Sequence, residues 1–405
     1  MKKPVREYQG KELLAVLPER LPAWYGKNHR TLPWRDTGNP YDVWLSEIML
    51  QQTRVAAVID YFYRFKEALP GIPELASCEE TRLMKLWEGL GYYSRVRNLQ
   101  KAAQIVVRDH GGKLPETAKE LQKLPGIGPY TAGAIASIAF GEAVPAVDGN
   151  VLRICSRICG NREDIALPET KKALEHALSD LFQRVCGSDL YPGTMNQAMM
   201  ELGATVCVPN GSPQCAVCPA ADRCRAYLSG ETEMLPLKSA GRPRRIERHT
   251  ILVLMDGGNV LIRKRPGKGL LAGLWELPSA EGYLTEVQAL AEAKRLLEEA
   301  ARISGTDPAE PVFVRKLPPA RHVFTHIEWE MQGYLIRVVP ALGAAGNRSG
   351  RSESDKMKRT EAGTPGFAQK VLSGEEDCRL PVIFADPEEL QTVYALPSAF
   401  SAYRP

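Results

Sequence analysis

The sequence predicts a multidomain protein of mixed class: an all-α domain over residues 1–228, a linker at 229–248, and a smaller α+β domain over 249–405. Three observations lead there. Apolar residues up to about 228 recur at helical spacing, with few strand-like runs. The stretch from Ser229 to Arg248 is broken by Gly230, Pro236, Gly241 and Pro243. Beyond it, two short apolar runs flank Asp256-Gly257-Gly258-Asn259, the pattern of a β-hairpin. A chain of 405 residues is too long for one simple domain and long enough for two packed cores.

Taken in order, Asn39-Pro40 supplies a capping side chain and a first-turn proline ahead of a helix over 41–52. Further helices are expected over 55–67, 81–90, 97–109, 130–140, 151–159 and 170–182. In the second domain the hairpin pairs 251–255 with 260–263. Thr285 and Gln288 form a capping-box pattern before a helix whose face carries Val287, Leu290, Leu297 and Ala301. Residues 331–339 read as a strand, and 341–377, rich in Gly, Ser and charge, as a mobile loop. Arg242, Arg244, Arg245 and Arg248 crowd the linker, as a solvated connector or as a track for a DNA backbone.

The net charge of +4 permits nucleic-acid binding without requiring it. No apolar run reaches membrane-spanning length, and residues 1–10 lack a signal-peptide core. Nine cysteines, four of them between 207 and 224, suit a reducing compartment and a metal site better than a disulfide framework. A cytoplasmic, nucleoid-associated monomer with no membrane contact is expected.

The chemistry starts at Leu124-Pro125-Gly126-Ile127-Gly128-Pro129-Tyr130-Thr131-Ala132. Gly126 and Gly128 allow a tight turn whose N–H groups bear on a phosphate, and the next helix adds its positive end. This is the pattern of a helix-hairpin-helix DNA clamp. Val147-Asp148-Gly149-Asn150 follows, just ahead of the helix at 151. Asp148 is therefore either a plain N-cap or a carboxylate facing a sugar, and the N-terminal dipole favours its charged form. Glu47 lies in Trp44-Leu45-Ser46-Glu47-Ile48-Met49-Leu50-Gln51-Gln52, among apolar neighbours that disfavour ionisation. One neutral and one charged carboxyl divide the labour of cleaving a glycosidic bond. A base inside a duplex must be extruded first, and Gln51, Gln52, Tyr92 and Tyr93 are available to fill the gap.

Cys207, Cys215, Cys218 and Cys224 are spaced C-x7-C-x2-C-x5-C. Four such thiols indicate a metal site, and spacing alone admits zinc or an iron–sulfur cluster. Cys78, Cys155, Cys159, Cys186 and Cys378 then remain as ordinary thiols. Arg223 and Arg225 beside the cluster are solvated or meet phosphate.

These motifs, together with Gly89-Leu90-Gly91-Tyr92-Tyr93-Ser94-Arg95, occur in an order that resembles adenine DNA glycosylases of the MutY type, in the helix-hairpin-helix superfamily that includes endonuclease III. The resemblance is dense over residues 5–228 and looser beyond. It implies removal of adenine mispaired with 8-oxoguanine or guanine in double-stranded DNA. Glu47 would be the general acid, Asp148 would stabilise the sugar cation, and Tyr130 and Asn150 would support the aspartate and the sugar. Gln52 and Tyr92 would wedge into the stack, while Arg35 and Gln197 would line the adenine pocket. The cofactor implied is a 4Fe–4S cluster, and replication clamps are open as partners. Tyr130 stands where strand-cutting relatives carry a lysine, so a monofunctional glycosylase is expected.

The second domain resembles a Nudix-like module, with Phe324-Thr325-His326 at the position of an 8-oxoguanine-reading Phe-Ser-His loop. Arg295 replaces an acidic ligand of the Nudix pattern, which argues against pyrophosphate hydrolysis. The first cysteine gap has seven residues where six is usual. An endonuclease III-like glycosylase/lyase for damaged pyrimidines and a non-catalytic damage sensor are the competing readings. Tyr130 opposes the first, and the pair Glu47 and Asp148 opposes the second.

Overall fold

The structure, a computed structural model, describes residues 6–185, 190–241, 243–305, 307–340 and 381–404. The loop expected at 341–377 and the thiols of Cys186 and Cys378 lie outside them. The first helices are α1 (Val16–Asn28), α2 (Pro40–Leu50), α3 (Val55–Ala68), α4 (Ile72–Ser77), α5 (Glu80–Leu86) and α6 (Ser94–His110). They are followed by α7 (Ala118–Leu121), α8 (Pro129–Phe140), α9 (Gly149–Cys159), α10 (Pro168–Val185), α11 (Pro192–Thr205) and α12 (Arg225–Leu228). Each helix expected from periodicity is present. The one expected over 81–90 stops at Leu86, ahead of Gly89 and Gly91 with φ of 97° and 69°. Helices α1, α4, α7, α11 and α12 were not foreseen.

The described chain divides into two compact units, one of residues 1–78 and 94–241, the other of 79–93 and 242–405. The expected contiguous first domain therefore gives up 79–93. The reason is specific bonding: Lys85 donates to the Leu390 carbonyl at 2.9 Å, and Glu88 accepts from the Leu396 N–H at 3.1 Å and from Arg404 at 2.6 Å.

In the first unit, α1, α9, α10 and α11 bury Leu17, Leu21, Ile154, Leu174, Phe182 and Met199 together. Helix α2 packs on α8, α8 on α11, and α11 on α9. That chain of packing brings one face of each helix to a common cavity.

The second unit is built on a seven-stranded sheet. Its strands are β1 (Arg245–Asp256), β2 (Asn259–Lys264), β3 (Trp275–Glu276), β4 (Ser279–Glu281), β5 (Ala309–Val323), β6 (Ile327–Pro340) and β7 (Val382–Ala385). The order β3-β2-β1-β6-β5 is antiparallel except for the parallel β1–β6 pair. The expected hairpin is found, with Asp256 opposite Asn259. Alternation along β1 sends Leu252 and Leu254 to one core, with α13 (Glu286–Ser304), and Ile251 and Val253 to another, with Trp329 and Phe400.

Two expectations in this unit are corrected. The buried stripe of α13 centres on Ala289, Ala293, Leu296 and Leu297, and Val287 points away at 76% exposure, about 100° of helical rotation per residue having carried it off the stripe. The arginine-rich stretch is not a free connector either. Residues from Arg245 onward already form β1, paired with β6 from Ile327, and Arg244 donates to the Phe324 carbonyl at 3.1 Å.

Candidate active site

Asn39 caps α2, its side chain accepting from the Tyr41 N–H at 3.0 Å, with Pro40 in the first turn. The helix it starts is buried on all sides from Tyr41 to Met49, Glu47 at 7% exposure. A surface location for Glu47 is excluded. Burial pushes its carboxyl up from 4.5 to about 7. The Tyr130 hydroxyl, donating to Oε2 at 2.8 Å, and the Arg35 charge oppose the rise, while the Asp148 charge adds to it. Glu47 can thus hold a proton near neutrality.

Asp148 is the N-cap of α9 and also lines the cavity. Its Oδ1 accepts from the Val151 N–H at 2.8 Å, and its Oδ2 from Asn150 Nδ2 at 2.7 Å. The N–H groups at the helix terminus favour its charged form, as expected, but they do not act alone. Burial raises its pKa, and the N–H groups of Val151 and Asn150 and the Arg153 charge only partly offset that. The support given by Tyr130 differs from expectation, since its hydroxyl serves Glu47 while Asn150 serves Asp148.

Asn150 is itself fixed. Its Oδ1 accepts from Arg153 Nη2 at 2.8 Å, and the same guanidinium donates to the carbonyls of Gly203 and Cys207, both at 2.8 Å. Gly203 on α11 is needed for this approach, because a Cβ there would lie 2.5 Å from the Asn150 Cβ. Neither Arg153 nor Gly203 was singled out in the sequence.

Glu47, Tyr130, Asp148 and Asn150 line one cavity of about 230 Å³ with Arg35 and Gln197. Arg35 donates to Glu201 Oε2 at 2.7 Å and to the Arg30 carbonyl at 2.8 Å. Arg30 holds the other side of Glu201 through Nε at 2.7 Å. Burial alone would raise the Glu201 carboxyl, but the two arginines overcome it and leave it at about 2. Sequence reasoning missed Glu201, although it stands one helical turn from Gln197 on α11 and shares its face.

At the hairpin, Gly126 has φ of 78° and its absent Cβ would lie 2.7 Å from the Asn98 Cβ, so glycine is required there. Gly128 has ordinary dihedrals, φ −86° and ψ 178°, and caps α8. The turn therefore needs one glycine, not two. Of the residues offered as gap fillers, Gln52 and Tyr92 are exposed and both have positive φ, 56° and 47°. Gln51 is half-buried against Thr131, and Tyr93 is buried, which removes it from that role.

In the second unit Phe324, Thr325 and His326 form the tip between β5 and β6. The Phe324 ring meets Trp329 edge-on at 5.0 Å, and the Thr325 hydroxyl is 2.6 Å from that of Tyr92.

Cys207, Cys215, Cys218 and Cys224 line a single cavity, and Arg157 Nη1 lies 3.2 Å from Cys207 Sγ. All four are free thiols. No three potential ligands are gathered as around one ion, among the described residues. Arg225 bonds Glu12 at 3.0 Å, and Arg223 is exposed. Cys155 and Cys159 are buried and Cys78 is half-buried, as expected of ordinary thiols. No helix among the described residues is long and apolar enough to cross a membrane.

Residues 45–184 match the family described as HhH-GPD superfamily base excision DNA repair protein, and 250–403 match the NUDIX domain. The chain is 39% identical to the adenine DNA glycosylase of Mus musculus, over 78% of this chain and 69% of that one. It is 34% identical to the adenine DNA glycosylase of Buchnera aphidicola subsp. Schizaphis graminum, over 67% and 77%. A solved thermostable thymine-DNA glycosylase overlays 54% of this chain and 98% of its own, with TM-score 0.47 and 24% identity.

Proposed function

From the premise that the chain belongs to the adenine DNA glycosylase family, we propose that it removes adenine mispaired with 8-oxoguanine or guanine from double-stranded DNA. The observation that carries this is the meeting of Glu47 and Asp148 at one cavity, with Glu47 held near a pKa of about 7. At about 230 Å³ the cavity lies below the roughly 300–1,000 Å³ typical of drug-sized ligands, as suits a single heterobase.

An everted adenosine between the two carboxyls receives the Glu47 proton on a ring nitrogen as the N-glycosidic bond breaks. The bonding pair leaves with the base. The sugar cation that remains faces Asp148, whose charge stabilises it, and Asn150 keeps that carboxylate in place. A water then adds its oxygen to the anomeric carbon and gives up a proton, which Glu47 can take back. No lysine lines the cavity among the described residues, and Tyr130 cannot form a Schiff base, so hydrolysis without strand scission is the expected outcome. The Phe324-Thr325-His326 tip is the proposed reader of the opposing base.

Cys207, Cys215, Cys218 and Cys224 are the proposed holders of a 4Fe–4S cluster. Four thiols around one cavity, with no histidine among them, are the donor set that such a cluster takes. Bound, it would cross-link the 207–224 loop. Iron and sulfide analysis of purified protein tests this assignment.

The reaction is tested by incubating the protein with a duplex bearing adenine opposite 8-oxoguanine and scoring alkali-labile sites in the adenine strand. Sites at the adenine, without cleavage before alkali, are expected. Efficient borohydride trapping through lysine would favour the glycosylase/lyase reading instead.

A further inference from the structure

The side-chain amide of Gln197 has one partner among the described residues, the buried phenol of Tyr25, whose oxygen is 3.0 Å from Oε1. Tyr25 is on α1, behind the residues that line the cavity, and its ring cannot swing away. His29 stacks on it at 4.7 Å and 23° and donates from Nδ1 to its carbonyl at 2.8 Å. The Arg35 guanidinium lies 5.5 Å from its ring centroid. A phenol has a single hydrogen. If it accepted from the amide NH2, that hydrogen would be left buried without an acceptor. Donating to the amide oxygen leaves only lone pairs unused, the cheaper omission.

We propose that Tyr25 is a positioning residue for base recognition, which fixes the Gln197 amide with its NH2 group toward the everted base. The amide then offers donors, and it selects a base with a bare ring-nitrogen acceptor on that edge. A site built around such a bond penalises a base that presents a hydrogen there. This inference rests on adenine being the base removed.

The test uses full-length protein and single-turnover excision of adenine opposite 8-oxoguanine, for wild type, Tyr25→Phe, Gln197→Leu and the double variant. Tyr25→Phe is expected to slow excision about fivefold to tenfold, the effect of freeing one hydrogen-bonded group. In the Gln197→Leu background the same change should cost nothing, because no amide remains to orient. A second variant, Gln197→Glu, keeps an oxygen for Tyr25 and turns a carboxylate oxygen to the base. At pH 8 it should be slower than Gln197→Leu. An undiminished Tyr25→Phe loss alongside Gln197→Leu, or wild-type speed from Gln197→Glu, would overturn the inference while leaving the reaction intact. A wild-type protein that releases no adenine opposite 8-oxoguanine or guanine would overturn the substrate reading, and this inference with it.

Discussion

Tyr130 donates its phenolic hydrogen to Oε2 of Glu47 across 2.8 Å. The phenol thus holds the proposed proton donor and tempers the rise that burial imposes on it. Two consequences concern pH, and they differ in sign for activity and for stability.

Removing the hydroxyl as Tyr130→Phe takes away the hydrogen bond that stabilises ionised Glu47. Its pKa then climbs further above about 7. Because the proposed reaction needs Glu47 protonated, the alkaline limb of the excision rate should move up by about half to one pH unit. Single-turnover rates from pH 6 to 9 would show it, and a limb that stays in place would separate Tyr130 from proton donation.

Glu47→Gln should abolish excision and yet stabilise the fold at alkaline pH. The folded-state pKa is raised from 4.5 to about 7, so the stability linked to protonated Glu47 is full below 4.5 and is lost as pH rises to about 7. Glutamine escapes that loss. The variant should match wild type near pH 4.5 and exceed it by on the order of 2–3 kcal/mol above pH 8. Denaturant melts at the two pH values decide it. Equal stability at both would mean that Glu47 ionises without cost.

The parts of this site legible in the sequence were those marked by local chemistry. Asn39-Pro40 marks where α2 starts, and the apolar run that follows it is buried on every side, Glu47 included. Asp148 sits at a helix start that Gly149 and Asn150 announce. Helix α11 gave no such signal. It buries Pro192, Met195, Asn196, Ala198, Glu201 and Gly203 with no polar face for a period to reveal, and so Glu201 went unseen. Arg153 was equally hidden, since an arginine in a helix reads as surface until the carbonyls that neutralise it are brought near by α11 and the cysteine loop. The raised pKa of Asp148 escaped for a related reason. A cap can be read from sequence, whereas the burial that outweighs it depends on the packing of distant elements.

Glu201 should behave oppositely to Glu47. Its folded-state pKa of about 2 lies below the ordinary 4.5, so its contribution is present above 4.5 and is lost as pH falls to about 2. Glu201→Gln should therefore lower stability at pH 7 by on the order of 2–3 kcal/mol and flatten acid unfolding between pH 4.5 and 2. Glu201→Ala, which strips a buried partner from Arg35, should cost about 3–5 kcal/mol. An acid-unfolding curve for Glu201→Gln that parallels wild type would contradict the assignment.

Arg153 ties the cysteine loop to the reaction centre, reaching the Cys207 carbonyl with Nε and Asn150 Oδ1 with Nη2, each at 2.8 Å. Its positive charge and the Asn150 hydrogen bond both lower the pKa of Asp148 against the effect of burial. In Arg153→Met the guanidinium is gone and Asn150 loses its anchor. Both changes raise Asp148 further, and since the proposed step needs Asp148 ionised, the acid limb of the excision profile should shift to higher pH. The alkaline limb, set by Glu47, should stay where it is. If the variant folds like wild type and its acid limb does not move, Arg153 braces the loop without acting on Asp148. If both limbs move together, the cavity itself has collapsed, and the specific link from Cys207 through Arg153 to Asn150 is not what sets the charge of Asp148.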